Sequence, residues 1–304
     1  MRRGLVLLLL LAACREAPPP HEFDGASAFR YLETQMAFGP RIPGTEGHRR
    51  EAAWLDSMAR ARADSVIVQD WTHVTARGDR LPLRNVIARF NPRATERLLF
   101  LAHWDTRPHT DAPGSRDSSK AVPGANDGAS GVAVLLGVAD VLKRVPPSIG
   151  VDLLFADGED YGADFLGTKH DVLIGSRYYA QHLPPGPLPL YAVLFDMVGD
   201  KDLQLYQEGN SLTGAPEVVE RVWRIAKEIG HGDIFIASPK PVLVDDHVEL
   251  QNVGIRAIDV VDFDYGPGNA YWHTSEDTID KVSAASLQVV GDVAAALVRH
   301  GARK

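Results

Sequence analysis

Leu98-Leu99-Phe100-Leu101-Ala102 runs directly into His103-Trp104-Asp105, and the reading of this stretch decides the fold. Five apolar residues in a row leave no polar face, as expected of a central strand covered on both sides. His103 and Asp105 then fall just past its carboxyl end. The same arrangement recurs along the chain. The strand 151–156, apolar but for Asp152, is followed by Asp157-Gly158-Glu159-Asp160, the apolar run 190–195 by Asp196, and the strand 255–261, after a loop, by Trp272-His273-Thr274. Helical spacing fills the intervals at 128–144, 176–182, 216–229 and 283–300, with Pro146-Pro147 blocking any extension of the first. Upstream, helices over 24–37 and 47–62 precede strands over 65–74 and 85–90. Strands separated by helices predict one α/β domain: a mixed, mostly parallel central sheet with helices on both faces. The polar, turn-rich segment 107–123 reads as a surface loop.

The 304 residues suffice for one large core, and 45% hydrophobic with 24% charged residues is ordinary for a globular chain. The net charge of −8 argues against a nucleic-acid partner, which usually leaves a basic face. No apolar run reaches the length of a membrane-spanning helix. At the start, Arg2 and Arg3 precede the short apolar stretch 5–13, the pattern of an export signal. Leu11-Ala12-Ala13-Cys14 resembles the lipobox of bacterial lipoproteins, in which the cysteine is acylated. A plain cleaved signal with a coincidental cysteine is the alternative. Residues 1–13 are therefore expected to be a lipoprotein signal peptide, 14–23 a tether stiffened by Pro18-Pro19-Pro20, and 24–304 the α/β domain. The expected location is the cell envelope, through lipidated Cys14. By analogy, the absence of Asp after Cys14 directs the protein to the outer membrane, on the periplasmic side. Cys14 is the sole cysteine, so no disulfide is available.

Strand ends and helix starts thus bring His103, Asp127, Glu159-Asp160, Asp196 and His273 toward one rim, where open α/β sheets bind ligands. Imidazole and carboxylate donors together suit zinc. Each residue has a plainer reading: Asp127 could cap the helix that follows it, Glu159-Asp160 could be a solvated turn, and the chain has eleven histidines. Their joint placement favours a site.

The strings Phe38-Gly39-Pro40-Arg41-Ile42-Pro43-Gly44-Thr45, Ala102-His103-Trp104-Asp105-Thr106-Arg107-Pro108, Gly124-Ala125-Asn126-Asp127-Gly128-Ala129-Ser130-Gly131, Glu159-Asp160-Tyr161-Gly162, Asp196-Met197-Val198-Gly199, Asp245-Asp246-His247 and Trp272-His273-Thr274 occur in that order. In them the chain resembles the bacterial zinc glutaminyl cyclases, which share their fold with the di-zinc aminopeptidases. The resemblance implies one zinc held by Asp127, Asp160 and His273, with Glu159 as general acid/base. It further implies an acidic pair, Asp196 and Asp245, beside the substrate amine, and Trp272 and Phe165 in the glutamine pocket. The implied reaction converts the N-terminal glutamine of peptides or proteins to pyroglutamate with release of ammonia. Asp259 departs from the animal enzymes, which carry histidine there. The runner-up is a di-zinc aminopeptidase, with His103 and Asp196 holding a second ion and Asp127 bridging. A lipid-anchored binding protein with a dead site is the third reading, and Glu159 speaks against it.

Overall fold

The computed structural model describes residues 21–112, 118–162 and 170–300. Cys14 with its signal segment, and Phe165, lie outside the described residues. The chain begins with α1 (Gly25–Met36) and α2 (Glu46–Arg60), capped by the side chains of Asp24 and Thr45. An antiparallel hairpin, β1 (Ser65–Val74) and β2 (Arg80–Phe90), follows. Then come β3 (Arg97–His103), α3 (Ala129–Arg144), β4 (Gly150–Ala156), α4 (Ile174–Gln181) and β5 (Tyr191–Asp196). The rest comprises β6 (Leu205–Gln207), α5 (Gly209–Gly214), α6 (Pro216–Glu228), β7 (Phe235–Pro239), α7 (Asp246–Gln251), β8 (Ala257–Val261) and α8 (Ala284–His300).

The main sheet has the order β1-β2-β4-β3-β5-β8. Its β4-β3-β5-β8 half is parallel, and β2 joins β4 antiparallel, so the sheet is mixed as expected. Every residue of β3 is buried, and the pleat sorts them. Leu98, Phe100 and Ala102 enter the core formed with α1, α2, α3, α6 and α8. Leu99 and Leu101 face the smaller core, closed by Tyr179 of α4 and Leu250 of α7. Helix α3 lies so close to the sheet that a Cβ at Gly131 would collide with the Phe195 carbonyl.

Two local expectations change. Strand β2 begins at Arg80 rather than 85, because its register with β1 continues to Val74 opposite Arg80. The small β6–β7 sheet and the six-residue helices α5 and α7 carry too few residues for a periodic signal. No helix among the described residues is long and apolar enough to cross a membrane.

Away from the strand ends that carry the site, Asp152 of β4 is gripped by two arginines. Arg89 Nε and Arg97 Nε each lie 3.0 Å from one of its carboxylate oxygens, and all three side chains are buried. Removing the acid leaves two desolvated cations without compensation. Asp152→Ala is expected to lower unfolding stability by about 3–5 kcal/mol, measured by denaturant titration. A loss near zero would show that the cluster is solvated.

Candidate metal centre and active site

Each parallel strand hands a side chain to one rim of the sheet. His103 ends β3 and Asp196 ends β5, while Glu159 and Asp160 follow β4. Asp127 precedes α3, Asp245 is the N-cap of α7, and Trp272 and His273 lie on the loop after β8. Asp127, Glu159, Asp160, Asp196, Asp245, Trp272 and His273 line one cavity of about 340 Å³. His103 is buried behind Asp127 and Asp196.

Donor atoms of Asp127, Asp160 and His273 lie within 4.8 Å of one another. His273 Nε2 stands 3.6 Å from Asp127 Oδ2 and 3.5 Å from Asp160 Oδ1. Tetrahedral ligands at roughly 2.0–2.1 Å from a zinc ion stand about 3.4 Å apart, so the spacing suits that ion. Asp160 Oδ2 is a buried oxygen with no hydrogen-bond partner, as expected of an atom awaiting a cation. The capping alternative for Asp127 does not hold. Gly128 is the N-cap of α3, that helix has no side-chain cap, and Asp127 Oδ1 instead faces His103 Nε2 at 3.1 Å. Residue 128 must be glycine: a Cβ there would sit 2.5 Å from the His103 carbonyl oxygen.

A second donor group shares Asp127. His103 Nε2 lies 3.1 Å from Asp127 Oδ1 and 3.2 Å from Asp196 Oδ1, and the three residues could also hold an ion. A third group, His73, His170 and Asp171, is outside this cavity. There His73 pairs with Asp171 at 2.8 Å, and Asp171 also accepts from the Ala76 amide, which fastens the β1–β2 hairpin to the chain before α4.

So many buried acids cannot all stay charged. Burial pushes Glu159 and Asp160 well above the carboxylate range, Arg107 and His103 opposing this only in part. Burial and the neighbouring Asp196 raise Asp245 to about 7. Burial also raises Asp196, although His103 hydrogen-bonds to it. For His103 burial works the other way, but the carboxylates of Asp105, Asp127 and Asp196 outweigh it and keep the ring cationic well above its usual range. Asp127 stays ionised, with its pKa at about 2, because the His103 hydrogen bond overcomes the burial cost. Asp196 and Asp245 therefore share a pocket wall in which Asp196 leans on His103 and Asp245 holds its proton near neutrality. Asp259, expected here for its departure from the animal sequence, is fully buried in mid-β8. Burial and Asp245 keep its pKa well raised.

Residues beyond the expected set hold these groups in place. Asp105 accepts from the backbone amides of Glu159 (2.9 Å) and Asp160 (3.1 Å), fixing the turn that carries both. Asp277 accepts from the amides of Asn126 and Asp127 and from Tyr265 Oη. Asp111 accepts from His273 Nδ1 at 2.9 Å, which leaves Nε2 turned to the cavity. Arg107 corrects the surface-loop expectation. Its guanidinium is drawn inward by Asp160 (2.6 Å), Asp111 (3.1 Å) and His273 Nε2 (3.1 Å), and Val122 is fully buried at the other end. The motif around Arg41 is structural: Arg41 donates to the carbonyls of Pro123 and Gly124 and supports the turn leading to Asp127. Trp104 is a buried packing residue stacked on His48, and Trp272 stacks on His273 at 3.7 Å.

Residues 85–298 match the model of peptidase family M28. The chain belongs to that family. Among curated relatives, aminopeptidase YwaD of Bacillus subtilis is 34% identical over 211 residues, which cover 67% of this chain and 40% of the relative. The chain thus spans well under two thirds of that relative's length. Solved structures align over almost their whole length. Glutaminyl cyclase of Bacteroides thetaiotaomicron, bound to N-acetylhistamine, superposes with a TM-score of 0.86 at 32% identity, covering 92% of this chain and 98% of its own. A Zn-dependent exopeptidase of Parabacteroides distasonis has the same TM-score and identity, covering 93% and 99%.

If Asp105 positions the Glu159-Asp160 turn, Asp105→Ala is expected to weaken zinc affinity about 10–100-fold, read by competition with a chromogenic chelator. Unchanged affinity with a normal circular-dichroism spectrum would remove Asp105 from the support of the site.

Proposed function

We propose that this chain is a zinc-dependent glutaminyl-peptide cyclotransferase, acting on peptides or proteins with N-terminal glutamine and anchored to the cell envelope through Cys14. The observation that carries the reading is the convergence in one cavity of the Asp127, Asp160 and His273 donors with Glu159, Asp245 and Trp272. Asp127, Asp160 and His273 would hold one zinc ion per chain, which acts as a Lewis acid toward the γ-carbonyl of the substrate.

The remaining steps belong to the protein's own side chains. Asp196 and Asp245 form an acidic wall that attracts and orients an N-terminal amine. Glu159 lines the cavity beside the donors, where its carboxylate would accept a proton from the attacking amine and return it to the leaving nitrogen as ammonia departs. The indole of Trp272, braced by Phe263 at 5.0 Å, offers a flat apolar surface to the glutamine stem. The nucleophile is the substrate's own amine, so no serine or cysteine is needed.

One observation favours a second reading. The His103, Asp127 and Asp196 donors are close enough to take another ion, as a di-zinc aminopeptidase requires. Against it, Asp245 stands beside Asp196 on the cavity wall, an acidic neighbour that favours sharing a proton over holding a second ion.

Incubation of the zinc-loaded protein with a glutaminyl tripeptide is expected to release ammonia, whereas leucine amide should be left intact. Leucine amide hydrolysis without ammonia release would reverse the order of the two readings. Glu159→Gln should lower kcat by about 10²–10⁴-fold, with zinc content unchanged. Parental turnover in that variant would assign the proton transfer elsewhere.

A further inference from the structure

Beside the catalytic cavity lies another, of about 280 Å³, whose wall is mostly apolar through Tyr206, Pro241, Leu243, Val261 and Phe263, with the charged Glu208, Lys240 and Asp264 at its margin. Leu243, Val261 and Phe263 face both cavities and form their common wall. Apolar surface is concentrated at the same place. Among the nine large apolar side chains exposed in the described residues, Val242, Val244 and Phe263 (63%, 48% and 37% exposed) belong to this wall and its approach. A cluster of this kind at the mouth of a site marks a surface that is covered in use.

The strap carrying these residues is firmly held. Leu243 donates its amide to Glu208 Oε1 at 2.7 Å, and Asn210 Nδ2 donates to the Leu243 carbonyl. Burial opposes the charge on Glu208, but His247 and the amides of Leu243, Asn210 and Ser211 prevail and keep it ionised, with a pKa of about 2. At the far end, Lys240 is bound to Asp264 at 2.7 Å and lies 4.4 Å over the Tyr206 ring. Its charge is spent there, and its stem adds apolar wall. The cavity on the opposite flank differs: Arg77, Asp79, His109 and Asp171 make it a charged one.

Building on the cyclase reading, we infer that the apolar cavity receives the side chain of the residue that follows the N-terminal glutamine, and that it selects aromatic and branched aliphatic residues. A glutamine bound against Trp272 fills the inner cavity, and the chain must leave through its mouth. The next side chain begins only about 3.3–3.6 Å further on, within reach of the wall that Leu243, Val261 and Phe263 share between the cavities.

The test uses the full zinc-loaded chain and ammonia release from tripeptide amides with Phe, Leu, Gly, Glu or Lys after the glutamine. The expected kcat/KM for Phe and Leu exceeds that for Gly by about tenfold, chiefly through KM, since the contact is made equally in ground and transition states. Tyr206→Ala is expected to reduce the Phe-to-Gly ratio by several-fold. Equal kcat/KM across the panel overturns the inference while leaving the cyclase reading intact. A preference for Glu or Lys also overturns it, and directs the peptide to the charged flank. Ammonia from none of the peptides overturns both. The parental panel decides the matter without any variant, should Tyr206→Ala fail to fold.

Discussion

The structure depends on one electrostatic constraint: Asp127, Glu159, Asp160, Asp196 and Asp245 are packed around a single cavity, with Asp246 and Asp259 buried nearby. Desolvation makes each charge costly and each neighbour raises the cost. The protein answers with the His103 cation between Asp127 and Asp196, and with the Arg107 fork between Asp160 and Asp111. Arg107 also donates to His273 Nε2, while its contact with Asp160 is to Oδ1 and leaves Oδ2 open. A divalent ion on Asp127, Asp160 and His273 relieves the same crowding more completely, and the unpartnered Asp160 Oδ2 shows where relief is still wanting.

The same crowding divides the labour among the acids. Asp127 remains ionised and available as a ligand because a cationic ring faces it. Burial and other carboxylates press the pKa of Glu159 upward and raise that of Asp245 to about 7. Residues of one chemical type thus acquire different duties from their surroundings, as proton transfer beside a metal requires. Backbone geometry contributes too. His273 and Met197, both on the cavity wall, adopt left-handed φ values of 55° and 47°, a conformation that costs a non-glycine residue about 1–3 kcal/mol and is retained where the surroundings enforce it.

Much of this was legible in the sequence, for a definite reason. Where a buried parallel strand is an apolar run, as at 98–102 and 191–195, the first polar residue after it marks the rim, and His103 and Asp196 follow from that rule. Asp152 interrupts β4, but the apolar stretch 153–156 still leads to the Glu159-Asp160 turn. Asp127 was ambiguous, because a ligand and a helix cap look alike in one dimension. Its carboxylate had to be seen facing His103 rather than the helix amides. Arg107 was misplaced because polar, turn-rich segments usually lie outside, whereas here buried acids draw the guanidinium inward. Asp277 was invisible: it acts on Asn126 and Asp127 from 151 and 150 positions away, and nothing local marks it. The apolar strap around Leu243 gave no signal either, since its short flanking elements lack periodicity and its meaning arises from the neighbouring cavity.

The most direct test of the central claim is anomalous diffraction at the zinc edge from crystals of the zinc-loaded protein. One strong peak per chain is expected, at roughly 2.0–2.2 Å from Asp127, Asp160 and His273, with Arg107 displaced from His273 Nε2. Two peaks of equal strength bridged by Asp127, or a peak on His103 and Asp196 alone, would contradict it.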